Sequence, residues 1–274
     1  METNKVKIMI SKMQNKEDAT AINLNAVRQL IEQQKKENKE SETKILLGIE
    51  GDAKTGKSGL GMDSNLKTFY LDVDDGAVPT WKTNHNSTDR ILILNPEIKN
   101  EQNETMPYQT QGMIRSFIAL VQEEIDKGEE VLFIWDGVDT WLDYCTLYMT
   151  GMENSRMRPM KVDKQQEWYQ RNQPFREVLK EAISLNCHRI FITHTKPPFR
   201  DEPPQPIWNR LDSQLHSILQ TYVRFSPKGT EYVVRVKSSK FHPELVGDTS
   251  VFLTIGNDKK VIWDGYAPLK EFSI

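Results

Sequence analysis

Residues Gly51-Asp52-Ala53-Lys54-Thr55-Gly56-Lys57-Ser58 match G-x-x-x-x-G-K-[ST] at every fixed position. The chemistry this spacing serves is the holding of a triphosphate. Glycines let the backbone curl so that successive N–H groups wrap phosphate oxygens, and a helix that follows aims its positive end at them. Lys57 would reach the β- and γ-phosphates, and the Ser58 hydroxyl would ligate Mg²⁺. At average composition the pattern occurs by chance in roughly 1% of chains of this length. Context raises its weight: Lys44-Ile45-Leu46-Leu47-Gly48-Ile49-Glu50 reads as a buried strand feeding the loop. The bland alternative is a glycine-rich turn with a surface lysine.

Three further groups have suitable chemistry. Asp136 ends the apolar run Val131–Trp135. An aspartate there would hold Mg²⁺ through water opposite the phosphate loop, or would simply cap the next segment. Asp139, three residues on, would cap or would support Asp136. In Leu71-Asp72-Val73-Asp74-Asp75-Gly76, strand alternation puts Asp72 and Asp74 on one face. Asp74 is the candidate general base for an attacking water, Asp72 the structural partner, and Asp75-Gly76 a turn. Finally, His194 in Thr193-His194-Thr195-Lys196 would sense the γ-phosphate and move the segment behind it, or be an ordinary loop histidine. His85, His188, His216 and His242 have no spacing that suggests a metal.

These residues must be placed by strands and helices. Strand signals fall at Lys44–Glu50, Lys67–Val73, Ile91–Leu94, Val131–Trp135 and Arg189–Thr193. Between them lie a short helix after Lys57, a helix from Gln111 to Lys127 ended by Gly128, and one from Gln165 to Leu185 with a break expected near Pro174. Lys196 to Asn209 holds five prolines and reads as a functional or mobile loop. A short helix is expected over Leu211–Leu219. Strands then follow at Thr221–Phe225, Glu231–Val236, Ser250–Ile255 and near Val261-Ile262-Trp263. Alternating strands and helices predict an α/β fold: a mostly parallel sheet with helices on both faces and a β-rich C-terminal part. Its phosphate loop would lie at the carboxyl edge of the strands.

Residues 1–43 form a polar arm. Leu24, Val27, Leu30 and Ile31 mark a short amphipathic helix, and a charged linker follows. The arm either packs on the core or links protomers. Residues 44–274 would be the nucleotide-binding core with its C-terminal β extension.

The 274 residues are 27% charged and 37% hydrophobic, with a net charge of −3. No apolar run is long enough to span a membrane, and no secretory signal is visible, so a cytoplasmic protein is expected (in the host, if viral). Cys145 and Cys187 are expected to be reduced core residues. Two stretches are locally basic. Residues 156–180 carry seven Lys/Arg against three Asp/Glu, and residues 224–242 carry five against one, each a net +4. That pattern suggests a path for a polyanion.

The chain resembles the RecA-like core ATPases of phages, the group that includes single-strand-annealing recombinases. The likeness covers about residues 44–242. It rests on the phosphate loop and on the short distance from Lys57 to Leu71-Asp72-Val73-Asp74-Asp75-Gly76. Thr193-His194-Thr195-Lys196 is similar to the His-x-Thr-Lys segment of a bacterial branch-migration relative. Ser238-Ser239-Lys240-Phe241 is distantly similar to its Lys-Asn-Arg-Phe-Gly motif. The resemblance implies a RecA-like P-loop ATPase core, with Asp74 as base and Lys240 as a phosphate contact between subunits. Two departures stand out. Asp74 replaces a longer glutamate, which implies slow hydrolysis, and Lys240 replaces an arginine, a different phosphate clamp.

On this resemblance, loops would face DNA. Gly151 to Gln170 sets Arg156, Arg158, Lys161 and Lys164 beside Trp168 and Tyr169, and Lys196–Asn209 carries Phe199, Arg200 and Trp208 next to Arg210. The leading expectation is an Mg²⁺-dependent ATPase that binds single-stranded DNA as a homo-oligomer, in phage-type recombination or strand annealing. A nucleotide or small-molecule kinase with Arg156 and Arg158 in a lid, and an ATP-gated scaffold with little turnover, are the alternatives.

Overall fold

In the computed structural model, residues 28–29, 31–33, 44–84, 88–149, 165–196 and 205–266 are described below. The chain divides into two compact units, Met1–Thr43 and Lys44–Ile274. In the first, residues 28–29 and 31–33 are helical; the rest of the expected amphipathic helix lies outside the described residues.

The second unit is built on one sheet. Its elements in chain order are β1 (Leu46–Gly51), α1 (Lys57–Met62), β2 (Lys67–Asp72), α2 (Ala77–Asn84), β3 (Ile91–Leu94) and α3 (Pro107–Asp126). There follow β4 (Val131–Asp136), α4 (Val138–Met149), α5 (Gln165–Ile183), β5 (His188–Lys196) and β6 (Gln205–Pro206). The last strands are, among the described residues, β7 (Ser217–Ser226), β8 (Gly229–Ser239), β9 (Thr249–Gly256) and β10 (Val261–Trp263). The strand order is β10-β9-β8-β7-β1-β5-β4-β2-β3, with β6 pairing β5 to one side. From β7 through β1, β5, β4 and β2 to β3 every pairing is parallel. β7 to β10 form an antiparallel meander. The mostly parallel α/β fold with a β-rich C-terminal part is therefore the observed one.

The central strands are buried on both faces, which is why β4 reads as an apolar run up to its final Asp136 rather than as an alternation. On one face Phe69, Phe133, Trp135 and Phe191 pack with Ile114, Trp141 and Phe175 of α3, α4 and α5. On the other, Leu47, Ile49, Ile134 and Ile192 meet Leu60 of α1, Ala77 of α2 and Phe252 of β9. Both cysteines are free and buried.

Three local expectations are corrected. Leu211–Leu219 is not a helix: after a turn, β7 begins at Ser217 and pairs in parallel with β1. Leu211, Leu215 and Leu219 keep helical spacing in sequence, yet all three are buried from a turn and a strand. Helix α5 runs through Pro174 without interruption. Helices α2 and α4 are additional to the expected elements. Much of the proline-rich segment, residues 197–204, lies outside the described residues; Gln205–Pro206 adds a short antiparallel pairing to the end of β5.

Candidate functional site

All of the expected nucleotide-binding strands end at one edge. The parallel register sets Gly51 beside both His194 and Thr221, and Asp72 beside Asp136. The phosphate loop leaves β1 at Gly51 and enters α1 at Lys57, with Gly56 in left-handed backbone as the N-cap (φ 83°). Thr55 Oγ1 lies 2.6 Å from Thr221 Oγ1, which ties the loop to β7. Lys57 Nζ donates to the carbonyl oxygens of Gly51 (3.1 Å) and Asp52 (2.7 Å). Burial lowers the Lys57 pKa, and the nearby Asp136 and Asp74 oppose that shift.

Opposite the loop, Ser58 Oγ donates to Asp136 Oδ2 at 2.6 Å, and Tyr70 Oη donates to the same oxygen at 2.5 Å. Burial raises the Asp136 pKa against those two hydrogen bonds. Ser58 and Asp136 therefore present adjacent oxygens, the hard donor type that Mg²⁺ takes.

Asp72 and Asp74 have separated roles. Asp72 is buried and accepts hydrogen bonds from the N–H groups of Gly76 (3.1 Å) and Ala77 (2.9 Å), so it fixes the turn into α2. Asp74 lines the cleft. Its Oδ1 accepts from Thr140 Oγ1. Its Oδ2 is buried, 3.2 Å from His194 Nδ1 and without an aligned hydrogen bond. Burial, then the charge of Asp136, raises the Asp74 pKa. Gly137 makes room for it: its φ is +91°, and a Cβ there would lie 2.5 Å from Asp74 Oδ1.

Asp139, on α4 and 1% exposed, organises the end of β5. Its Oδ1 accepts from Thr193 Oγ1 (3.3 Å) and the His194 N–H (3.2 Å), and lies 3.5 Å from His194 Nδ1; Lys196 Nζ is 3.2 Å from Oδ2. Burial would raise the Asp139 pKa, but His194 and Lys196 hold it down at about 2. Its hydrogen bond to Asp139 raises the His194 pKa, against burial. Asp74, Asp139 and His194 bring ligand atoms within 4.8 Å of one another. With Lys196 and His194 already on Asp139, this group is a polar network that orients His194 beside Asp74.

The resulting cleft, about 520 Å³, is lined by Ala53, Lys54, Thr55, Gly56, Lys57 and Ser58, and across from them by Asp74, Asp136, Asp139 and His194. Asp52 stands at its margin, where Thr195 Oγ1 donates to Oδ1. Lys240 is not brought here. It follows β8 at the opposite end of β7, with its Nζ 3.0 Å from the Ser213 carbonyl. The basic segment 151–164 lies outside the described residues.

Sequence reasoning passed over Glu50, the last residue before the loop. It is completely buried, with Trp208 Nε1 2.9 Å from Oε2 and Lys237 Nζ 2.5 Å from Oε1. A charged residue ending an apolar strand was its only local signal. Thr140, Tyr70 and Thr221 were also missed; their partners lie dozens of residues away and nothing local marks them.

No protein-family model matches this sequence, and no curated protein matches it. Among solved structures, the chain is similar to a RadB recombinase, with 16% identity and a TM-score of 0.47 over 79% of this chain and 89% of that one. It is also similar to a KaiC-like protein of the archaeon Pyrococcus horikoshii, with 7% identity and a TM-score of 0.45 over 79% and 88%. A third is an ATPase from the type III secretion system of pathogenic bacteria, with 12% identity and a TM-score of 0.42 over 64% and 51%.

Proposed function

We propose that this protein is an Mg²⁺-dependent, RecA-like ATPase that works on single-stranded DNA as a homo-oligomer, in phage-type recombination or strand annealing. The observation that carries the ATPase reading is the convergence of Lys57, the Ser58–Asp136 pair and Asp74 on one cleft. The loop N–H groups and Lys57 would hold the β- and γ-phosphates, with Lys57 released from the Gly51 and Asp52 carbonyls as the nucleotide enters. Mg²⁺, held by Ser58 and through water by Asp136, would offset phosphate charge. Asp74 would take the proton from a water that attacks the γ-phosphorus as the bond to the bridging oxygen breaks. The raised Asp74 pKa suits that role, because a base works best when its pKa approaches the working pH. His194, beside Asp74 and two residues before the end of β5 at Lys196, would sense the γ-phosphate and pass its presence into the segment that follows.

The DNA part rests on the two basic stretches, 156–180 and 224–242, in a chain of net charge −3. No helix among the described residues is long and apolar enough to cross a membrane. The test is titration of a fluorescent ATP analogue with and without Mg²⁺. Tight, Mg²⁺-dependent binding abolished by Lys57→Ala and weakened by Asp136→Asn is expected. Binding that survives Lys57→Ala would refute the site.

A further inference from the structure

Away from the phosphate loop, a groove of about 410 Å³ runs between the C-terminal half of α5 and the turn that precedes β7. Its floor is closed by the buried side chains of Phe175 and Leu179. Its rim carries Arg176, Lys180 and Arg210. All three are exposed, and among the described residues none has a carboxylate partner. Two acidic residues of the same helix, Glu177 and Glu181, pair with Arg115 of α3. The rim therefore carries net positive charge, three cations against Asp212, the one exposed carboxylate of the turn.

Two features say what kind of anion fits. First, Tyr169, Arg176 and Lys180 stand at i, i+7 and i+11, on one face of α5. At 1.5 Å rise per residue, the line from the ring to Lys180 is about 16 Å long, and its two cations span about 6 Å of it. A single small phosphate would meet the cations alone, whereas several nucleotides would also reach the ring. Second, the line opens with an aromatic ring: Tyr169 is 67% exposed. A chain of phosphates with faces that stack is a single-stranded nucleic acid, and a ring in line with cations matches it.

The turn that supplies Arg210 is held in place. Asn209 and Arg210 both adopt left-handed backbone (φ 45° and 74°), a conformation uncommon for residues with side chains. Asn209 Nδ2 donates to Asn172 Oδ1 of α5 at 3.4 Å. The adjoining Trp208 is hydrogen-bonded to Glu50, one residue before the phosphate loop. Arg210 is thus positioned against α5 by contacts that continue to the nucleotide site.

We infer that this groove, with Tyr169, Arg176, Lys180 and Arg210, binds the backbone and a base of single-stranded DNA. The inference deepens the DNA part of the proposed function and rests on it. The experiment is fluorescence anisotropy of a labelled oligothymidylate with the full chain and ATP, over a series of salt concentrations. The triple variant Arg176→Gln, Lys180→Gln, Arg210→Gln should bind tenfold or more weakly. Its log–log salt slope should be shallower by about 2, since each phosphate neutralised on a single strand adds roughly 0.7 to the slope. Tyr169→Ala should weaken binding roughly five- to 150-fold with an unchanged salt slope. ATP hydrolysis without DNA should be unaltered in both, which also shows that they fold. Oligothymidylate binding that is equally tight in wild type and variants would overturn the groove and leave the DNA reading standing. Absence of oligothymidylate binding by the wild type would overturn both.

Discussion

Lys237→Met tests how the phosphate loop is anchored. Glu50 is fully buried, and its two carboxylate oxygens take Lys237 Nζ and Trp208 Nε1. Removing the ammonium leaves a buried carboxylate with one neutral donor. Breaking a buried ion pair from one side costs about 3–5 kcal/mol. The Lys237 side chain is 45% exposed while that of Glu50 is 0%. Water can therefore reach the vacated side, and the low end, about 3 kcal/mol, applies. For a unit of this size each kcal/mol moves Tm by about 2–4 °C, so a drop of roughly 6–12 °C is expected by circular dichroism. The double variant Glu50→Gln, Lys237→Met should recover most of that loss, because the amide is neutral and still accepts from Trp208. The single variant should also bind nucleotide more weakly, since Glu50 adjoins Gly51. A Tm for Lys237→Met within about 2 °C of wild type, or a double variant as unstable as the single one, would overturn this anchoring role.

Other expectations follow from the cleft. Asp74→Asn should lower kcat about 10²- to 10⁴-fold with ATP affinity retained, in steady-state kinetics paired with nucleotide titration. Asp139→Asn should bring the His194 pKa down, followed by NMR of the imidazole protons. The sign is fixed by the raised His194 pKa: the pair stabilises the fold below the usual histidine pKa, near 6.5, and that contribution fades as pH rises through the raised value. The variant should therefore lose more stability at pH 5.5 than at pH 9, read from denaturant midpoints. Gly137→Ala should destabilise by more than about 1 kcal/mol and reduce turnover, because a Cβ at φ +91° would press on Asp74; wild-type turnover would contradict the role given to that close approach.

Much of this site was legible because its signals are local. The phosphate loop declares itself by spacing, and Asp136 and Asp74 by ending apolar strands. Parallel strands then carry all of them to one edge, so recognising the strands placed the residues. What escaped depends on distant pairing. Leu211–Leu219 has helical spacing, yet the free edge of β1 takes Ser217–Thr221 into the sheet, and pairing outweighs propensity there. Helix α2 carries few apolar residues inward, only Ala77 being buried, so periodicity could not reveal it. Glu50 looked like a polar strand end; its role depends on Trp208 and Lys237, 158 and 187 residues away. Gly48 takes part in that arrangement too: a Cβ on it would lie 3.0 Å from the Trp208 ring.

ATP hydrolysis by the purified full chain, with and without single-stranded DNA and beside Lys57→Ala, is the deciding measurement for the proposed function. Mg²⁺-dependent turnover that DNA stimulates and Lys57→Ala abolishes is expected. Turnover that is indifferent to DNA, or that persists in Lys57→Ala, would contradict it.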